Sequence, residues 1–142
     1  MGTGALKEMD RIVAEQALVA YCPDLTDWPG SWRIEPRDVA PGQSIVECFK
    51  PFLLHLLSLG LSKKTLHKHH DNLWLLGGKI IGELANSPKL RKRPIEELLL
   101  AALDAEGGPL LSYRAAEEEQ RSFDSTCRKF HRFLSDRASI PP

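Results

Sequence analysis

The run His67, Lys68, His69, His70, Asp71 concentrates more acid–base and metal-ligating chemistry than any other stretch of this 142-residue sequence. On a helix, His67, His70 and Asp71 fall on one face by three- and four-residue spacing, and imidazoles with a carboxylate are a ligand set for a transition metal. Lys64 and Lys68 flank that face and oppose a dication, and no HExxH pair or cysteine completes a site. No metal or cofactor is therefore expected, and the run is read as a polar face that can meet a nucleic acid.

Other chemistry-bearing residues point away from catalysis. Cys127 and His131 are one helical turn apart, but a thiolate nucleophile also needs an oriented base and oxyanion donors. A core cysteine beside a rim histidine is the expected reading. Three cysteines in all, Cys22, Cys48 and Cys127, are widely spaced and form no CxxC pair, which suits buried thiols in a reducing compartment. The acids Glu117, Glu118 and Glu119 open a helix, where negative charge suits the macrodipole, and are read as a solvated face. Gly77 and Gly78 lack the spacing of a phosphate loop. No enzyme site is expected.

Basic residues carry the functional signal instead. Formal net charge is zero, yet residues 50–93 hold nine bases against two acids, a net of +7 balanced by −7 in the flanks. A neutral protein with such a middle third presents a local field to a polyanion within about 8 to 10 Å of its surface. Lys63 and Lys64 follow Ser62, and Lys68 continues their face by one turn. Lysines there oppose the helix dipole, a local cost that phosphate binding would offset. Lys89, Arg91, Lys92 and Arg93 form a second basic cluster.

Helices must position these groups. Thr3 is a candidate N-cap for a first helix over residues 5–21, striped by Leu6, Met9, Ile12, Val13, Ala17 and Tyr21. Residues 22–42 contain Pro23, Pro29, Pro36 and Pro41 with Gly30 and Gly42, which predicts an irregular connector. Trp28, Trp32 and Ile34 are its anchors: the tryptophans either fold back over the core or offer a partner surface.

Ile45, Val46, Phe49, Phe52, Leu53, Leu56 and Leu57 then predict a helix from Gln43 to Gly60, with Pro51 kinking it or opening its second half. Ser62 caps the next, which runs to about Leu84 along Leu66, His70, Leu73, Gly77, Ile80, Ile81 and Leu84. Two mid-helix glycines cost roughly 1 kcal/mol each, so close approach of a neighbouring helix or a local bend is expected at Gly77 and Gly78. A short helix spans Ile95 to Leu103 after Pro94, and Ser112 opens a last one bearing Tyr113, Ala116, Phe123, Cys127, Phe130 and Leu134.

The predicted fold is all-α, a small bundle of four to five helices. It divides into a helix plus Trp- and Pro-rich arm over 1–42, a helical domain over 43–138 and a frayed tail over 139–142. Its apolar runs fall short of the roughly 20 residues that span a membrane, and residues 1–10 lack a secretory layout, so a cytoplasmic protein is expected.

Phe52 to Leu73, FLLHLLSLGLSKKTLHKHHDNL, resembles the N-terminal core-binding (SAM-like) domain of tyrosine recombinases and phage integrases. In that family an apolar helix ends in Gly, a Ser opens the next, and a Thr, an aliphatic residue, an aromatic and a Leu follow at set spacing; Gly60, Ser62, Thr65, Leu66 and Leu73 match, while His69 stands where tyrosine is usual. Phe123 to Leu134 looks more loosely like the family's closing helix. The resemblance implies one half of a DNA clamp, with Ser62, Lys63, Lys64, Thr65 and Lys68 facing DNA. The sequence ends at Pro142, before the family's catalytic domain, and strand cleavage is not expected of it.

The expectation is thus a non-catalytic DNA-binding protein, an accessory or regulator from a mobile element. Its phosphate-facing residues would be Ser62, Lys63, Lys64, Thr65, His67, Lys68, Lys89, Arg91, Lys92 and Arg93. The alternative is a protein-interaction module or small regulator without nucleic-acid binding, using the Trp28 and Trp32 arm or exposed helix faces.

Overall fold

The computed structural model describes residues 3–112 and 114–139. Among the described residues six α-helices follow one another: α1 (Thr3–Tyr21), α2 (Trp28–Trp32), α3 (Val39–Ser58), α4 (Lys63–Asn86), α5 (Ile95–Ala102) and α6 (Glu117–Ser139). Short 3-10 turns at Leu25–Asp27, Pro36–Asp38 and Pro88–Lys92 link them. The protein is an all-α bundle with no strand among the described residues. Its one β-type feature there is an isolated bridge between Asp104 and Gly107.

Helices α3 and α4 are central because both bury long apolar faces, Ile45, Phe49, Phe52, Leu53 and Leu56 on one and Leu73, Leu76, Ile80, Ile81 and Leu84 on the other. Gly60, at φ +69, makes the tight reversal between them, a conformation that suits glycine. Helix α6 packs against both, and its Phe130 ring stacks on Phe52 at 4.8 Å between centroids and meets Phe49 edge-on at 5.6 Å. Helix α5 covers α3 with Leu98 and Leu99.

The connector differs from the irregular segment the prolines predict. Pro29 and Pro36 sit in the first positions of α2 and of a 3-10 turn, and Pro41 lies in the first turn of α3, which starts at Val39 rather than Gln43. A proline lacks only the N–H that a helix start leaves unused, so these residues punctuate short helices rather than forbid them. Helix α3 also runs on through Pro51.

Trp28 and Trp32 are 2% and 6% exposed and meet Phe49 edge-on at 6.3 and 6.4 Å. The partner-binding reading of these two residues is corrected: rings so covered belong to the core. One hydrophobic cluster joins Leu18, Trp28 and Trp32 to Phe49, Leu73 and Phe130, so the core crosses the expected boundary between 42 and 43.

Gly77 explains the glycine pair. A Cβ there would overlap Cζ2 and Cη2 of Trp32, whereas at Gly78 the nearest atom of that ring would be 3.5 Å away. The close approach expected from the sequence is made by one indole from α2, whose Nε1 donates to the Trp74 carbonyl at 2.9 Å.

Two expectations fail at the ends of the chain. The stripe on α1 is largely unpacked: Met9, Ile12 and Val13 are exposed, while Leu18 is buried and Tyr21 donates its hydroxyl to the Leu66 carbonyl. Helix α6 begins at Glu117, since Ser112 Oγ accepts from the N–H groups of Arg114 and Ala115 and makes a turn instead of a cap. The side chains of Thr3 and Leu6, and all of Tyr113 and 140–142 in the tail, lie outside the described residues.

Candidate nucleic-acid interface

Ser62 begins α4 in extended conformation, and its Oγ accepts the Thr65 N–H at 3.2 Å, which fixes the helix start as the sequence suggests. Thr65 Oγ1 lies 3.0 Å from the same oxygen. Lys63 and Lys64 are exposed and Lys68 half-buried. No ion pair joins any of the three to a carboxylate among the described residues, so their charge is uncompensated at close range.

The second basic cluster is arranged differently. Lys89 and Lys92 are exposed on the 3-10 turn beyond α4, and Arg93 Nε donates to Glu97 at 3.3 Å. Arg91 turns inward: its side chain is 16% exposed and its Nη2 lies 2.6 Å from Asp38 Oδ1 and 3.3 Å from Glu35. The reading of Arg91 as a phosphate contact is corrected, because its guanidinium neutralises a fully buried carboxylate. Asp38 also accepts the N–H groups of Ile34 and Glu35. Burial alone would raise its pKa, but those donors and Arg91 hold it below the usual carboxylate range.

At 1.5 Å per residue, the two basic clusters stand at opposite ends of α4, about 35 Å apart. They are separate patches. In the second, Arg91 and Arg93 are paired with carboxylates, whereas Lys63, Lys64 and Lys68 make no ion pair among the described residues.

The histidine run splits into three environments. His69 is buried, not part of a polar surface: its Nδ1 lies 2.7 Å from Thr126 Oγ1, where Asn72 Nδ2 also donates while reaching the Ser122 carbonyl. Burial, helped by Lys68 and Lys129, lowers its pKa to about 4. His67 is the opposite, 74% exposed, with Nε2 3.4 Å from Asp71 Oδ2.

His70 is half-buried between two carboxylates. Nε2 lies 2.9 Å from Asp24 Oδ1 and Nδ1 2.9 Å from Asp71 Oδ1, and the ring meets Trp28 edge-on. Burial pulls its pKa down, but the two carboxylates outweigh it and hold the value above the ordinary one. Asp24 accepts Trp28 Nε1 at 2.8 Å with its other oxygen. Sequence reasoning missed Asp24, because nothing in the chain announces a contact across 46 residues.

Cys127 is buried against Gly108, and burial pushes its thiol up to about 12, so it stays protonated at neutral pH. Glu117, Glu118 and Glu119 are exposed in the first turn of α6. No helix among the described residues is long and apolar enough to cross a membrane.

No family model, curated protein or solved structure matches the chain.

Proposed function

We propose that this is a non-catalytic DNA-binding protein of the cytoplasm that engages the phosphate backbone through Ser62, Lys63, Lys64, Thr65 and Lys68. One observation carries the reading: three lysines that make no ion pair among the described residues lie on the first turns of a 24-residue helix, within a segment of net charge +7. Phosphate contacts of this kind position a protein on a duplex without reading its sequence. The resemblance of Phe52 to Leu73 to the core-binding domain of tyrosine recombinases points the same way, to an accessory or regulator from a mobile element. Lys89, Lys92 and Arg93 form a separate and weaker patch in this reading, since Arg93 is already paired with Glu97.

The test is fluorescence anisotropy of labelled duplex DNA titrated with the full chain from 50 to 200 mM salt. Neutralising three phosphates predicts a log–log salt slope of about −3. Combined Lys63→Glu, Lys64→Glu and Lys68→Glu should abolish binding. Absence of binding at 50 mM salt, or binding untouched by the triple reversal, rejects the reading.

A second reading has its own observation. Met9, Ile12 and Val13 expose apolar surface at helical spacing on α1, which favours a protein-interaction module. A stoichiometric protein partner that releases on substitution of these three residues, with no nucleic acid bound, would support it.

A further inference from the structure

We propose that His67, His70 and Asp71 form a site for one divalent transition-metal ion of the zinc class, with Asp24 as the carboxylate that orients His70. The inference stands apart from the DNA reading. Each of the three residues offers a ligand atom within 4.8 Å of the others. Tetrahedral zinc with bonds near 2.0 Å sets its ligands about 3.3 Å apart. His67 Nε2 and Asp71 Oδ2 are already 3.4 Å apart, and His70 Nδ1 lies 2.9 Å from Asp71 Oδ1.

Two features make this more than polar residues at helical spacing, and the exposed His67 ring, now nearly parallel to that of His70, has room to turn its lone pair onto a shared ion. His70 presents Nδ1 to the cluster while Nε2 donates to Asp24, the carboxylate–histidine–metal arrangement that fixes ring and tautomer. Asp24 is itself held by the buried Trp28 indole, so the orienting group is set before any ion arrives.

Charge favours the ion despite nearby lysines. Asp71 as ligand and Asp24 behind His70 together balance a dication, which offsets repulsion from Lys64 and Lys68. On ligation Nδ1 gives any proton it carries to solvent, and the metal takes the place of that proton between His70 and Asp71. Three protein ligands leave a fourth position to water, beside a recess lined by Asp24, His70, Asp71, Trp74 and Leu75.

Zinc chloride titrated calorimetrically into chelator-treated full chain tests the site. The wild type should take up one equivalent and unfold at a higher temperature with zinc than with chelator. His67→Ala and Asp71→Asn should each weaken uptake at least tenfold while keeping the helical spectrum, because both side chains are largely exposed. Asp24→Asn should weaken it about tenfold. His131→Ala, next to Cys127, should leave it unchanged. No stoichiometric uptake, or uptake that survives His67→Ala and Asp71→Asn, overturns the proposal, as does loss confined to His131→Ala.

Discussion

His69 Nδ1 stands 2.7 Å from Thr126 Oγ1, inside the seam where α4 packs on α6. The same hydroxyl accepts from Asn72 Nδ2 at 2.9 Å, so one threonine satisfies two buried side chains of the opposite helix. Apolar stripes set how α4 and α6 pair, and this network sets their register.

This seam makes stability depend on acidity. The imidazole of His69 takes up a proton near pH 4 when folded, against about 6.5 when unfolded. Its contribution is complete above pH 6.5 and is lost as pH falls from there towards 4, by about 3 kcal/mol in all. His70 acts in the opposite sense, since its raised pKa favours the fold below 6.5 and that favour is lost at higher pH. Urea unfolding between pH 7.5 and 4.5 in chelator should therefore show a steeper acid loss for the wild type than for His69→Gln. Equal slopes would remove His69 as the source.

Gly77 and its neighbours should respond oppositely to alanine. Gly77→Ala drives a methyl into the Trp32 ring and should cost about 2 to 3 kcal/mol. Gly82 has nothing within 4 Å of the position a Cβ would take, and Gly82→Ala should stabilise by up to about 1 kcal/mol through helix propensity. Thermal unfolding of the two variants decides it, and a neutral Gly77→Ala would place Trp32 elsewhere.

Arg91→Ala should separate folding from DNA binding. It strands Asp38, fully buried, without its counter-ion, at a cost of about 3 kcal/mol. DNA affinity measured where the variant is folded should stay within twofold of wild type. A stable variant with weak DNA binding would return Arg91 to the interface.

On α1, combined Met9→Ser, Ile12→Ser and Val13→Ser should shift the unfolding midpoint by no more than about 2 °C, since surface substitutions alter stability little. A large fall would mean that this face is buried against something in solution.

Where spacing alone determines packing, the sequence was readable. The apolar rows of α3 and α4, the Ser62 cap and the core positions Phe123, Cys127 and Phe130 follow from a period of 3.6. The connector was not readable, because the same prolines that forbid a long helix also start short ones. Met9, Ile12 and Val13 have the right spacing for a buried stripe, yet spacing cannot say whether a partner element exists. At the site, the exposed Lys63 and Lys64 were legible. Asp24 on His70 and Asp38 on Arg91 were not, because these contacts join residues 46 and 53 positions apart.

The seat of Trp32 also orders events in time. The gap over Gly77 exists only once residues around 73–81 are helical, so the indole docks after α4 has formed. Closing the 44 intervening residues then costs about 3 kcal/mol of chain entropy, recovered only when the ring is in place. The connector is therefore a late-folding segment, and substitutions at Trp32 should speed unfolding far more than they slow folding.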